Sequence, residues 1–343
     1  MRRFTSTIRK WQGRRWPRGV EIGIKQKVFP QRRKGAKRAL TLCLCALAGV
    51  CFLGFAWTTP ATQQKPEPYG PPVTIATLKD KSISESSGLV ASRSTPGAYW
   101  THNDSGDGPF IYAFDTRGES LGVFRVASAQ ARDWEDIAIG PGPQRGKSYL
   151  YIGDIGDNSK SRSEVVVYRV AEPALTTAGR KLTKTRPGIT ESAEAIRLRY
   201  PDGKHDAETL LVHAGSGNIY IVTKVALANP VVYEAAAPVS PGKLIAMRRL
   251  SEIRVPSIFG GVLTGGSISP DGRRVALCDY FQGYELVLPA ASTDFSDIWK
   301  QRMIGFDLGK RKQGEAITYR LDGKAFLATS EGKQSALIQV LRN

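Results

Sequence analysis

Glu135-Asp136-Ile137-Ala138 is one of five copies of a short pattern, with Gly88-Leu89-Val90-Ala91, Glu208-Thr209-Leu210-Leu211, Gly266-Ser267-Ile268-Ser269 and Glu315-Ala316-Ile317-Thr318. Each copy opens on Gly or Glu and carries an apolar residue two positions later: Val90, Ile137, Leu210, Ile268 or Ile317. Successive copies lie 47, 73, 58 and 49 residues apart. Four-stranded blades of a β-propeller repeat every ~40–50 residues, so this spacing predicts a propeller with insertions in two of its units.

The intervals hold further strands in the right number. Ala98–Asn103, Phe110–Asp115 and Leu121–Val126 follow Gly88, and Ser148–Gly153, Glu164–Val170 and Ala193–Arg199 follow Glu135. Asn218–Lys224, Val231–Ala235 and Leu244–Arg249 fill the third unit, and Arg274–Tyr280, Tyr284–Leu288 and Arg302–Leu308 the fourth. All are short, rich in Val, Ile, Tyr and Phe, and bounded by Gly, Pro, Asn or Asp, which is an all-β signature. Asp271-Gly272 and Asp322-Gly323 fall where tight hairpins need positive φ. The last unit supplies only Ala316–Arg320, Ala325–Ser330 and Ala336–Leu341. Val73–Leu78 is the one strand left over, and pairing it with the last blade closes the ring and removes an exposed sheet edge. Five blades are counted, or six if one of the insertions is itself a blade.

The domain at residues 73–343 is preceded by three segments of different character. The chain carries 49 Lys and Arg against 31 Asp and Glu, a formal charge of +18, yet residues 1–38 hold 14 of the bases and a single acid, Glu21. A basic head on a nearly balanced body argues against a nucleic-acid reader, whose bases should line the folded surface that meets phosphate. Ala39–Trp57 follows without one charge; at ~1.5 Å per residue its nineteen residues span about 28 Å, close to a bilayer's hydrocarbon core. It reads as a transmembrane anchor or a signal segment, and by the positive-inside rule either places the body outside the cytoplasm, membrane-bound or released. Prolines at 60, 66, 68, 71 and 72 mark residues 58–72 as an extended linker. Cys43, Cys45 and Cys51 lie in the uncharged run, so Cys278 has no partner for a disulfide within the body. Nothing suggests self-association, and a monomer is expected.

Antiparallel pairing of the two innermost strands puts the start of the first and the end of the second on one face of the disc. That face collects Asp133, Glu135, Asp206, Glu208 and Glu315 from strand starts, and Asn103, Asp104, Asp107, Asp154, Asp157, Asn158, Lys224, Asp279 and Glu331 from second-strand ends. Converging carboxylates suit a hard divalent cation; Ca²⁺ takes ~6–8 oxygens. Candidate metal ligands are Glu135, Glu208, Glu315, Asp133, Asp206, Asp104, Asp154 and Asp157, with Lys224 and Arg132 placed to hold an anionic substrate. The alternative is local: Asp and Asn in the loops 103–107 and 154–158 also cap turns. For Glu135, Glu208 and Glu315 the cation reading is favoured, because three like charges on one channel repel unless a cation or protons intervene. His102, His205 and His213 lack zinc spacing, no Gly-x-Ser-x-Gly elbow is present, and Gly260–Gly266 lacks the following helix of a phosphate loop.

Ser87-Gly88-Leu89, His102-Asn103-Asp104-Ser105-Gly106-Asp107, Asp133-Trp134-Glu135-Asp136-Ile137-Ala138, Gly153-Asp154-Ile155-Gly156-Asp157-Asn158 and Gln313-Gly314-Glu315-Ala316-Ile317 form a set. As a set they resemble a group of exported bacterial β-propeller proteins of largely unknown function and, more distantly, the phytase-like propeller family. The resemblance covers most of residues 80–335. It implies the propeller fold, and the phytase comparison implies calcium-dependent phosphoester hydrolysis. Two functions are therefore carried forward: a binding or interaction module with a divalent-cation site, and a calcium-dependent phosphoesterase or lactonase-like hydrolase using the same mouth.

Overall fold

The computed structural model describes residues 68–104, 106–175 and 181–343. Five sheets stand in a ring as a five-bladed propeller, numbered here I to V along the chain. The innermost strands are Ser86–Ala91, Trp134–Pro141, Ala207–Val212, Gly265–Ile268 and Gly314–Tyr319. All five are the strands the repeated pattern marks, each beginning one or two residues before the pattern's Gly or Glu. Five apolar clusters fill the five interfaces between blades, so each blade is covered on both faces by its neighbours. Ser86–Ala91 and Gly314–Tyr319 are accordingly buried at every residue, which explains continuous apolar runs in place of strict alternation.

The ring closes as the leftover strand suggested. Val73–Thr77 pairs antiparallel with Ala336–Leu341, Val73 opposite Gln339 and Thr77 opposite Ala336, and so becomes the outer strand of blade V. Tyr69 fastens this junction to blade IV: its ring lies 4.6 Å from that of Phe306, and its hydroxyl donates to Glu285 Oε2 at 2.8 Å. Glu285 is buried and also accepts from Tyr319 Oη at 2.8 Å, with Arg342 Nε 3.0 Å away.

The six-blade alternative is excluded, because both insertions edge an existing blade. Gly188–Ser192, from blade II, runs parallel to the outer strand Ser120–Ala127 of blade I. Leu244–Ala246, from blade III, runs parallel to Glu194–Arg199 of blade II. The single strand expected over Leu244–Arg249 is therefore two. At Met247, whose N–H donates to Arg199 O at 2.9 Å and whose side chain is buried, the chain crosses from blade II to blade III, and Arg248–Glu252 completes the latter. Backbone propensity is the same on either side of that crossing, so it leaves no mark in the residues.

In blades I to IV the segment between third and outer strands reaches back to the preceding blade, and in blade V the residues leading into the outer strand do so. The 3₁₀ helix Phe295–Lys300 of blade IV does so by packing Phe295 and Trp299 against Tyr220 of blade III. Tyr69 does so for blade V. In blade I only a tight turn is present, and Lys79 N–H donates to Gly118 O at 2.9 Å; a Cβ on Gly118, where φ is +74°, would fall 2.1 Å from Thr77 O. Among the described residues no helix is long and apolar enough to cross a membrane. Residues 1–38, the uncharged run Ala39–Trp57 and most of the linker lie outside the described residues.

Candidate functional site

The three glutamates reach the channel mouth through the same backbone irregularity. Between first and second strands the pairing skips one residue in four blades: Gly88 in I, Glu135 in II, Glu208 in III and Glu315 in V. A bulge of this kind re-aims the extra side chain out of the ladder. Blade IV pairs Gly265 with Cys278 and Gly266 with Leu277 without a skip, so its copy of the pattern carries no bulge.

Asp104, at the end of the second strand of blade I, joins two groups of carboxylates. One comprises Asp104, Asp133 and Glu135, the other Asp104, Glu315 and Glu331, and within each group one oxygen per residue lies within 4.8 Å of the others. Two oxygens bound to one Ca²⁺ at ~2.4 Å are at most about 4.8 Å apart, so either group fits a single ion. Gly156 makes room for the first: a Cβ there would lie 2.0 Å from Glu135 Oε1 and 2.4 Å from Asp133 Oδ2.

The members of the mouth differ sharply in how they are partnered. Glu135 is 5% exposed, and among the described residues no basic side chain pairs with its carboxylate. Burial, and then the charges of Glu208, Asp104, Asp133 and Asp206, push its pKa up to about 11. Glu315 accepts from Gln313 Nε2 at 2.8 Å, and the same amide holds Glu331 at 2.7 Å. Burial is again the leading cause that lifts Glu315, to about 9. Asp133 is raised by burial and by Asp104. Glu208 is ion-paired with Lys224, whose ammonium also donates to Tyr280 Oη at 2.8 Å. Burial raises Glu208 to about 7, with Lys224 opposing.

The remaining sequence candidates serve the loops. Asp154 is paired with Arg162 at 2.7 Å and accepts the backbone N–H of Arg132 at 3.0 Å, while the Arg132 side chain is exposed. Asp157 accepts the N–H groups of Ser161 and Arg162, both at 2.8 Å, and Asp206 Oδ1 accepts Asp157 N–H at 2.8 Å. Asn103 Oδ1 accepts from Ser84 and Glu85, and Asp279 Oδ1 from Phe281 and Gln282. Asp157 and Asp279 cap their own turns, the local reading of the Asx residues, whereas Asn103, Asp154 and Asp206 hold backbone N–H groups of distant segments.

One acid escaped the sequence argument. Asp136 is fully buried, Oδ1 accepting Ile137 N–H at 2.8 Å while Oδ2 accepts Leu210 N–H at 2.9 Å and Gly266 N–H at 3.2 Å. It knits the inner strands of blades II, III and IV below the mouth. A Cβ on Gly88, where φ is +69°, would sit 2.7 Å from Asp136 Oδ1, so glycine lets blade I close on the same point. The signal available was an acid at a pattern position that elsewhere holds Leu89, Thr209, Ser267 or Ala316.

No protein-family model matches the chain, and no curated protein matches it.

Proposed function

We propose that this propeller is an extracytoplasmic binding module, exported by way of Ala39–Trp57, whose acidic mouth takes Ca²⁺ through Asp104, Asp133 and Glu135. The observation that carries this reading is Glu135, a buried carboxylate with no basic partner among the described residues that shares a 4.8 Å oxygen cluster with two further acids. An isolated buried carboxylate is costly, and a divalent cation relieves it. The likeness to phytase-like propellers points to the same ion. Binding is favoured over hydrolysis because Lys224, the lysine beside Glu208, is engaged by Glu208 and Tyr280 and so is not presented to a phosphoester.

A ligand that binds only the native state raises stability by mass action, about 2.7 kcal/mol at a hundredfold excess over Kd. Residues 63–343 form a compact unit with its own closed ring, so this fragment is the material to test. Titrating CaCl₂ to millimolar levels into the chelator-treated fragment raises its Tm, whereas Asp133→Asn/Glu135→Gln shows no rise. An unchanged wild-type Tm across the titration rejects the calcium reading.

A further inference from the structure

A second surface lies on the flank of the disc, away from the mouth carboxylates. Between the outer strands of blades III and IV runs a groove of 1620 Å³, bordered by Ser251 and Glu252 on one side and Ile304 and Gly305 on the other. Its apolar wall is unusually exposed, with Leu227 at 83% and Ile258 at 85%, beside Val287 and Ile304. In a smaller adjoining pocket, which shares Ile258 and Gly305 with the groove, Phe259 and Phe281 stack at 5.2 Å, both exposed. Leu227 is held at φ +58°, a backbone state that disfavours leucine, so the chain keeps this side chain outward against local preference. Contiguous exposed apolar groups of this size mark an interaction site.

The edge of the groove adds a directional signal. Ile304–Asp307 is the last strand of its sheet, paired only with Gln282–Val287 among the described residues, so its outward backbone groups are unpaired. The same outward edges of blades I and II are covered by the parallel fifth strands Gly188–Ser192 and Leu244–Ala246. On blade IV the Tyr69 side chain reaches back, at Phe306 and Glu285. Charge completes the picture. Arg254 and Arg302 line the groove, are exposed, and have no guanidinium partner among the described residues. The nearby acids are engaged, Glu252 by Arg249 at 2.6 Å and Asp307 by Gly309 N–H at 2.7 Å.

We propose that this groove docks an extended peptide segment of another protein, alternating large apolar with acidic residues, as a fifth strand along Ile304–Asp307. Backbone pairing supplies the register, alternate side chains enter the apolar wall, and the carboxylates meet Arg254 and Arg302. The chain's own preceding segment is a poor occupant: residues 58–67 read Thr-Thr-Pro-Ala-Thr-Gln-Gln-Lys-Pro-Glu, with no large apolar side chain and a single acid. A lipid surface offers nothing to the ordered N–H and C=O groups of a strand edge.

The test uses fragment 63–343 and a positional-scanning library of ten-residue peptides. Selection enriches alternating apolar positions with at least one Asp or Glu, and the enriched peptide is titrated by fluorescence anisotropy. Arg254→Glu/Arg302→Glu, both exposed and unpartnered so that Tm is kept, weakens binding at least tenfold. N-methylation of the peptide at alternate residues abolishes it, and Glu135→Gln leaves it unchanged, which separates this surface from the mouth. The proposal is overturned if no sequence is enriched, if the N-methylated peptide binds equally, or if the charge reversals have no effect. It is also overturned if, with no peptide enriched, the fragment binds phosphatidylcholine/phosphatidylglycerol vesicles (7:3) through the same two arginines, because the face then belongs to a membrane.

Discussion

Replacing Glu135 by Gln in the metal-free propeller should flatten the pH dependence of its stability by an amount the structure sets. In the fold, burial and the neighbouring acids raise Glu135 from 4.5 to about 11. Between pH 5.5 and 7.5 the folded carboxyl thus keeps a proton that the unfolded chain has already lost. The native state binds the extra proton, so this group makes stability fall as pH rises, by about 1.4 kcal/mol per pH unit. Over two units Glu135 alone accounts for roughly 3 kcal/mol, or on the order of 5 °C in Tm for a domain of this size. Glu315, raised to about 9, acts with the same sign through the whole window, and Glu208, raised to about 7, up to its own pKa. Asp115 and Asp157 are lowered instead; their contribution is lost only as pH falls through the acid range, outside the window. Calorimetry of fragment 63–343 and its Glu135→Gln variant in chelator at pH 5.5, 6.5 and 7.5 reads the difference. Glu135→Gln should lose the Glu135 slope and be the more stable protein at pH 7.5. Parallel curves for the two would refute the reasoning, because they require Glu135 to be ionised in the metal-free fold.

Two structural predictions concern the frame that holds the mouth. Truncation through residue 71 removes Tyr69 and its bond to Glu285 but keeps Val73–Thr77, so it should cost about 1–3 kcal/mol and leave a cooperative melt, whereas truncation through Leu78 opens blade V and should abolish cooperativity; equal melting of the two fragments would exclude the N-terminal strand from the ring. Asp136→Ala leaves the Leu210 and Gly266 N–H groups buried without an acceptor and should cost about 3–5 kcal/mol in urea unfolding, while Asp136→Asn, which keeps one acceptor oxygen, should cost less than half as much. A loss below 1 kcal/mol for Asp136→Ala would show that the carboxylate is not a load-carrying tie between blades.

The repeat Gly/Glu-x-apolar, its spacing and the leftover Val73–Leu78 strand were enough to specify the propeller and its closure from residue order. Blade architecture is dictated by local periodicity and by the need to leave no inner edge unpaired, and both can be read along the chain. The same alignment placed Glu135, Glu208 and Glu315 at equivalent positions, and the structure puts all three on register bulges. Tertiary structure alone decided their fates. Lys224 pairs with Glu208, Gln313 steadies Glu315, and Glu135 lies beside Asp104 and Asp133 with no basic partner among the described residues, because each outcome depends on side chains from other strands arriving within reach. Asp154 and Asp157 share the composition of metal ligands yet are bound by Arg162 and by loop N–H groups, a choice made by loop geometry that residue identity does not encode. The strand crossing at Met247 and the buried Asp136 were likewise beyond the sequence: strand propensity is indifferent to which blade a strand joins, and three converging N–H groups exist only once blades II, III and IV have met.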